Sequence, residues 1–134
     1  MMTTSFDDIV SLAESRYRDA FVRGEGNSFS LLEDGRQIDF FQVPGEPTTS
    51  IVRARVLSIA DMRRAADFAK ACIAGNFFWE GTRGATLSVG ADDVLYLTER
   101  RPLDELSDVD GFDACLENIM LAITDWQERS ALYE

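Results

Sequence analysis

The chain has 134 residues, of which 46% are hydrophobic and 28% are charged. These values are ordinary for one globular domain and exclude a disordered or collagen-like chain. The 24 Asp and Glu residues outnumber the 13 Lys and Arg residues, giving a formal net charge of -11, which opposes binding to phosphate backbones. We therefore predict a single domain over residues 1–134 that does not bind nucleic acid.

The N-terminal sequence, Met1 to Asp8, lacks the basic and apolar regions of a secretory signal. No stretch approaches the roughly 20 apolar residues of a transmembrane helix. Cys72 and Cys115 fall on the apolar faces of predicted helices, which is typical of buried thiols in a reducing compartment. We expect a cytoplasmic protein that has no membrane contact and no disulfide.

The first predicted element is an amphipathic helix. Ser5 is a favourable N-cap, and apolar residues then recur at helical spacing as far as Phe21, before Gly24 ends the pattern. A predicted hairpin follows, with strands Ser28–Leu32 and Gln37–Val43 around the turn Asp34-Gly35.

A third strand is predicted from Ser50 to Leu57, with Val52, Ala54 and Val56 on its core face. Ser58 and Asp61 have the spacing of a helix start, and Gly75 is a favourable helix end. The second helix is predicted between these signals.

The C-terminal part predicts a second hairpin and a long helix. Two alternating stretches, Ala85–Val89 and Val94–Glu99, flank a turn, and Ser107 with Asp110 begins a helix that contains Trp126. The predicted order is α-β-β-β-α-β-β-α. This order indicates the α+β class, with three helices on a mainly antiparallel twisted sheet.

Residues that carry chemistry are scarce. The absence of histidine excludes histidine-based catalysis and most zinc sites. Acidic pairs such as Asp92-Asp93 and Asp104-Glu105 fall in turns, where a solvated role is ordinary. We expect no enzyme activity, no cofactor, no metal site and no small-molecule substrate. The alternative is a hydrolase that uses carboxylates, which would need a pocket where acidic groups with raised pKa values converge.

Two apolar patterns remain open to more than one interpretation. The face of the second helix has mainly small residues, which suit either a symmetric contact between two helices or tight packing on its own sheet. Phe40 and Phe41 are consecutive in a strand and must point to opposite faces. Either helices cover both faces of the sheet, or some strand residues form an exposed patch for a partner.

A series of segments in the second half of the chain carries a family resemblance. They are Ala71–Asn76, Thr82–Val89, Val94–Leu97, Arg101–Leu106 and the helix that contains Trp126. Together these segments resemble class I type III secretion chaperones, the Tir-chaperone-like family. The bulky cluster Phe77-Phe78-Trp79 departs from the family pattern.

The resemblance implies a homodimer that binds a segment of a secreted effector protein and keeps it soluble and secretion-competent without ATP. The implied dimer interface comprises Ala65, Phe68, Ala69, Cys72 and Leu87. The implied effector-binding residues are Phe29, Leu31, Phe41, Ile51 and Trp79. An alternative is a YbjN-like regulatory domain, which would bind a different protein.

Overall fold

A computed structural model describes residues 4–134 of the chain. The prediction about the N-terminal sequence also includes Met1 to Thr3, which lie outside this range. In the described part, helices and strands follow the order α-β-β-β-β-α-β-β-α. The predicted α+β class is confirmed, and the first half of the chain has one more strand than the sequence indicated.

Residues 4–134 contain three α-helices and six strands, with short 3-10 helices at Phe77–Thr82, Leu103–Leu106 and Ala131–Tyr133. The helices are α1 (Phe6–Arg16), α2 (Ala65–Gly75) and α3 (Val109–Ser130). The strands are β1 (Phe21–Arg23), β2 (Ser28–Glu33), β3 (Arg36–Val43), β4 (Glu46–Ser58), β5 (Thr86–Val89) and β6 (Val94–Pro102). They form an antiparallel sheet in the order β1-β2-β3-β4-β6-β5, so β1 and β5 lie at its edges.

The first helix begins where the sequence predicts but ends earlier. Ser5 Oγ accepts a hydrogen bond from the Asp8 N–H, and the Asp8 carboxylate accepts one from the Ser5 N–H, which satisfies free donors at the helix start. The predicted extension to Phe21 is wrong, because Phe21–Arg23 forms β1 and pairs with β2. Phe21 stacks on Phe29 at 5.4 Å between ring centroids, so packing in the sheet overrides helical spacing.

The first hairpin forms as predicted. Asp34 and Gly35 both have positive φ angles, 52° and 73°, as the tight turns that suit twisted strands require. The β2–β3 register pairs Ser30 with Asp39. The next connection is also a tight turn, so β4 begins at Glu46, earlier than the predicted Ser50.

The chain divides into two compact units, and the first comprises residues 4–53 and Arg100–Leu116. Stacked aromatic rings form the centre of its core. Phe29 and Phe40 are 4.7 Å apart at an interplanar angle of 10°, and Phe40 and Phe112 are 5.2 Å apart. Aliphatic residues are buried in the same unit: Ile9, Val10, Leu31, Ile38, Leu103 and Leu106.

The second unit comprises Ala54–Glu99 and Glu117–Glu134. Phe68 meets Trp126 edge-on at 6.2 Å in its core, and the Trp126 indole N–H donates to the Gly81 carbonyl at 3.0 Å. The predicted start of the second helix at Ser58 is wrong. Turns occupy the residues before α2, where the Ile59 N–H donates to the Asp93 carbonyl.

Cys72 and Cys115 are both buried. No helix in residues 4–134 has the length and apolar character needed to cross a membrane. Whether the whole chain is one domain stays a prediction.

Candidate functional site

The outer face of the sheet in the first unit carries a polar cluster. Side chains alternate along β3, so Ile38 and Phe40 enter the core while Asp39 and Phe41 lie on the other face. Asp39 is nevertheless buried. A carboxylate buried on the face of a sheet away from its core needs hydrogen-bond partners on that same face.

Three side chains supply those partners. Ser30 Oγ and Gln37 Nε2 donate to Asp39 Oδ1 at 2.6 and 2.8 Å. Arg53 donates from Nε and Nη2 to Asp39 Oδ2 at 3.1 and 2.8 Å. The charge-assisted pair and the two neutral donors satisfy the carboxylate. Asp39 therefore holds the side chains of Ser30, Gln37 and Arg53 in place on this face of the sheet.

Arg53 also shapes the apolar part of the same face. Its guanidinium carbon lies 4.9 Å from the centroid of the Phe41 ring, within the range of a cation–π contact. Ile51 is two residues from Arg53 on β4 and therefore points to the same side. Phe41 and Ile51 are both half-buried, so part of each side chain is accessible to a partner.

A groove of about 820 Å³ lies next to Phe41. Aromatic, proline and amide side chains form most of its wall. Its lining residues are Glu25, Asn27, Ser28, Phe41, Gln42, Val43, Pro44, Gly45 and Pro47. Asn27 Nδ2 donates to Gln42 Oε1 at 2.5 Å, and Gln42 Nε2 donates to the Pro47 carbonyl at 3.2 Å. Such a mixed wall can hold an extended peptide through apolar contacts and hydrogen bonds.

The second unit presents a different surface, the outward stripe of α2. Ala66, Lys70, Ile73 and Ala74 recur at helical spacing and are all exposed. Ile73 is 74% exposed. We call these four residues the α2 stripe.

The segment after α2 continues this surface with aromatic side chains. Phe77, Phe78 and Trp79, which we call the aromatic turn, are 72%, 70% and 55% exposed. Phe78 and Trp79 have φ angles of 51° and 58°, in the left-handed region that bulky residues rarely adopt. The backbone therefore adopts an unfavourable conformation at two of the three exposed aromatic residues.

Hydrogen bonds on both sides hold the aromatic turn. The Asn76 amide donates to the Leu87 carbonyl at 2.9 Å and accepts from the Leu87 N–H at 2.7 Å. The Trp79 indole donates to Thr86 Oγ1 at 3.3 Å. These bonds fasten the turn to β5.

The structure places four of the predicted dimer residues on the inner side of α2 and the fifth, Leu87, on β5. Phe68, Cys72 and Leu87 are buried inside the second unit, and Ala65 and Ala69 are half-buried. Phe68, Cys72 and Leu87 therefore have no surface to offer a partner while the unit stays folded. The α2 stripe lies on the opposite side of the helix.

The predicted effector-binding residues do not form one cluster. Phe29 and Leu31 are buried in the core of the first unit, so we drop both from the candidate surface. Phe41 and Ile51 lie together on the outer face of the sheet. Trp79 belongs to the aromatic turn of the second unit.

Sequence reasoning missed the roles of Asp39, Arg53 and the α2 stripe. An acidic residue between Ile38 and Phe40 in a strand was a signal, because strand residues with apolar neighbours need a local partner when they are charged. The α2 stripe was harder to find, because the error in the predicted start of the helix obscured which face points outward.

The titratable groups with clear shifts do not resemble those of a hydrolase. The hydrogen bond from Tyr96 lowers the pKa of Asp92, and the hydrogen bond from Arg16 lowers the pKa of Asp113. A general acid needs the opposite shift. Burial raises the pKa of the Cys72 thiol to about 11, which keeps it protonated at neutral pH.

In the described residues, no three histidine, cysteine or carboxylate side chains cluster to hold a metal ion.

The chain has the fold of several proteins of solved structure. It is similar to a structure of the ExsC–ExsE complex, with 17% identity, a TM-score of 0.74 and coverage of 95% of this chain and 96% of that chain. The HopA1–SchA chaperone–effector complex gives 11% identity, a TM-score of 0.68 and coverage of 93% and 98%. The ExoU–SpcU complex from the type III secretion system of Pseudomonas aeruginosa gives 15% identity, a TM-score of 0.55 and coverage of 92% and 94%.

No curated protein matches the sequence. The sequence pattern of one family, described as the Tir chaperone protein (CesT) family, matches residues 12–127. This range includes most of both units. The chain therefore belongs to the Tir chaperone protein (CesT) family.

Proposed function

We propose that this protein is a cytoplasmic type III secretion chaperone that binds the chaperone-binding segment of an effector and keeps it secretion-competent without ATP. The match of the chaperone family to residues 12–127 is the observation that carries this proposal. It favours a chaperone over both the YbjN-like regulator and the carboxylate hydrolase.

The outer face of the first unit is the proposed effector-binding site. An extended guest can place apolar side chains against Phe41 and Ile51 and enter the adjoining groove, whose amide groups can bond its backbone. Asp39 holds Arg53 in one position over Phe41, so this part of the site is organised before the guest arrives. Preorganisation lowers the entropy cost of binding.

The test of the function is a pull-down from the source cell with tagged protein, followed by mass spectrometry and light scattering. A single dominant polypeptide, bound through one segment near its N-terminus, supports the proposal. Recovery of the tagged protein without a stoichiometric partner contradicts it.

The proposed site has its own test. We expect Phe41→Ser to weaken binding of the recovered polypeptide by roughly tenfold or more, because apolar residues at the centre of an interface often contribute over 1 kcal/mol. Leu132→Ser is the matched control, since Leu132 is an exposed apolar residue of the second unit. Equal affinities for both variants would place the guest elsewhere.

The proposed partner also includes a second copy of the chain, bound through α2. Support comes from the α2 stripe, whose alanines permit close approach of another helix. Ala65 and Ala69 flank it and remain interface candidates. We expect Ala74→Arg to give a monomer by light scattering, whereas the same change at exposed Ala114 of α3 leaves the dimer intact. A dimeric Ala74→Arg variant contradicts this interface.

A further inference from the structure

The groove beside Phe41 lies where two turns of the first unit meet, and side-chain amides connect those turns. Asn27, in the turn between β1 and β2, donates to the Gln42 amide oxygen, and Gln42 donates in turn to the Pro47 carbonyl at the start of β4. The Gln42 N–H also donates to the Asn27 carbonyl at 3.0 Å. The fold itself therefore orders the wall of the groove.

The strongest polar group without a partner in this groove is an acceptor. Glu25 is the one charged residue of the lining, and its carboxylate has no hydrogen-bond or ion-pair partner within residues 4–134. Asn27 Oδ1 likewise accepts no hydrogen bond from the part of the chain that the structure describes. Pro44 and Pro47 have no N–H to donate. The groove therefore offers negative charge and acceptor oxygens to the donors of a guest.

The backbone that carries Glu25 is fixed in a tight turn. Ser28 Oγ donates to the Glu25 carbonyl at 2.7 Å, and the Gly24 N–H donates to the Ser28 carbonyl at 3.1 Å. A Cβ added at Gly24 would collide with Ser28 Oγ, so the close approach of these two residues requires glycine. The Glu25 side chain is exposed, so its carboxylate can turn towards a guest in the groove.

The charges around Phe41 favour a cation at Glu25. Arg53 lies against the Phe41 ring, but its own charge is paired with Asp39 at 2.8 Å. A guest with an apolar side chain on Phe41 can reach Glu25 with a neighbouring cation, whereas a carboxylate at that position would be repelled. The formal net charge of -11 adds long-range attraction for a basic segment.

We propose that the groove binds a basic side chain of the effector, with arginine the best fit, beside the apolar side chain that packs on Phe41. The guanidinium has five donors and no acceptor, and it can form two parallel bonds to the Glu25 carboxylate. A volume of about 820 Å³ is in the range of sites that enclose small ligands, so the groove has room for both side chains. This inference rests on the proposed function and specifies which guest segments the site selects.

Three blocked nonapeptides, tested on the whole chain, measure this selectivity. Each has one leucine among serine and glycine residues and, two positions further on, an arginine, a glutamine or a glutamate. Residues two apart share a face of an extended chain. We expect the arginine peptide to bind about tenfold more tightly than the glutamine peptide, because hydrogen bonds between charged groups are the stronger ones. The glutamate peptide should bind most weakly, with each Kd measured by fluorescence anisotropy.

Two variants locate the selectivity in the groove. Glu25→Lys should reverse the order of the peptides, because the new cation attracts glutamate and repels arginine. Glu14→Lys is the matched control, since it makes the same change of charge at an exposed position of α1 in the same unit, and it should keep the wild-type order. The inference is overturned if the wild type binds the three peptides equally, binds none of them or prefers glutamate. A reversal in Glu14→Lys also overturns it, because the net charge alone would then explain the order.

The effector recovered by pull-down separates this inference from the proposed function. A roughly tenfold loss of effector affinity in Glu25→Lys, with none in Glu14→Lys, supports both. If Glu25→Lys binds the effector as tightly as the wild type, the chaperone function stands and the site for a basic side chain is wrong. If no effector is recovered while the peptides keep their expected order, the chaperone function is wrong and the groove remains a site for basic peptides.

Discussion

One aromatic cluster in each unit differs sharply from the other in exposure. In the first unit, Phe29, Phe40 and Phe112 stack inside the core. In the second unit, the aromatic turn places three consecutive aromatic residues in solvent. Residue type alone therefore does not say whether an aromatic cluster stabilises the fold or is available to a partner. The backbone conformation determines whether the rings are buried or exposed.

The polar groups differ in the same way. In the first unit, the Asp39 carboxylate accepts hydrogen bonds from three side chains and holds Arg53 in position on the surface. In the second unit, the Asn76 amide fixes a strained turn through backbone groups of β5. Each network positions apolar surface, the first at the proposed effector site and the second at the aromatic turn.

The largest expected effect is in the first core. Phe29→Ala should lower the free energy of unfolding by about 3–5 kcal/mol, because it removes a buried ring and leaves a cavity. Urea denaturation followed by circular dichroism measures this change. Phe78→Ala is the comparison in the second unit and should change stability by less than about 0.5 kcal/mol. Equal losses of unfolding free energy in Phe29→Ala and Phe78→Ala would contradict the difference in burial between the two clusters.

The next effect tests the packing below the aromatic turn. A Cβ added at Gly75 would lie 2.4 Å from Cζ2 of Trp126, so Gly75→Ala should destabilise the protein by about 1–3 kcal/mol. Urea denaturation again measures the loss. The cost should fall when Trp126→Phe is introduced first, because the smaller ring removes the clash. An unchanged cost in that background would contradict the close contact.

A smaller effect is expected from the Asp39 cluster. Asp39→Ala should cost about 1–2 kcal/mol, because it leaves the half-buried Ser30 hydroxyl without its acceptor, while Gln37 and Arg53 are exposed enough to regain water. It should also weaken effector binding by freeing the Arg53 side chain. Asp39→Asn is the conservative control, since it keeps an acceptor oxygen. An effector affinity that is unchanged in Asp39→Ala would show that Arg53 needs no positioning.

Local patterns were enough to predict much of the fold. The Ser5 cap, the Asp34-Gly35 turn and the alternation of β4 each follow from near neighbours in the chain, and all three are present. β1 was missed because Phe21 continues a helical pattern. Its strand conformation depends on pairing with β2, a contact that local periodicity does not contain.

The candidate site was less predictable for the same reason. Phe41 and Phe40 had to point apart, but only the packed structure shows that Phe29 and Leu31 share the core side with Phe40. The aromatic turn was visible as a departure from the family pattern. Its exposure depends on the left-handed backbone at Phe78 and Trp79, which no propensity favours for such residues.

The smallest expected effect is the pH dependence of a contact in the first unit between α1 and α3. Arg16 donates to Asp113 at 2.9 Å, and the Tyr17 hydroxyl donates to the same carboxylate. Arg16 and then Tyr17 lower the pKa of Asp113 below 3.8. The stability that ionised Asp113 contributes is therefore present above pH 3.8 and is lost as the pH falls through the folded pKa.

The Tyr17 hydroxyl gives the alkaline part of the effect. Burial, followed by the bond to Asp113, raises the pKa of Tyr17 from 10.0 to about 12. That contribution is present below pH 10 and is lost as the pH rises towards 12.

Two variants separate the acid and alkaline parts of this effect. In urea denaturation across pH, Asp113→Asn should flatten the acid decline in stability, and Tyr17→Phe should flatten the alkaline decline. Both changes should be small, because Arg16 is exposed and solvent screens the pair. Tyrosinate absorbance provides the independent measurement, since wild type minus Tyr17→Phe isolates Tyr17. A Tyr17 titration near pH 10 would mean that the hydroxyl is neither buried nor bonded to Asp113, and the proposed link between α1 and α3 would then make no contribution to the first unit.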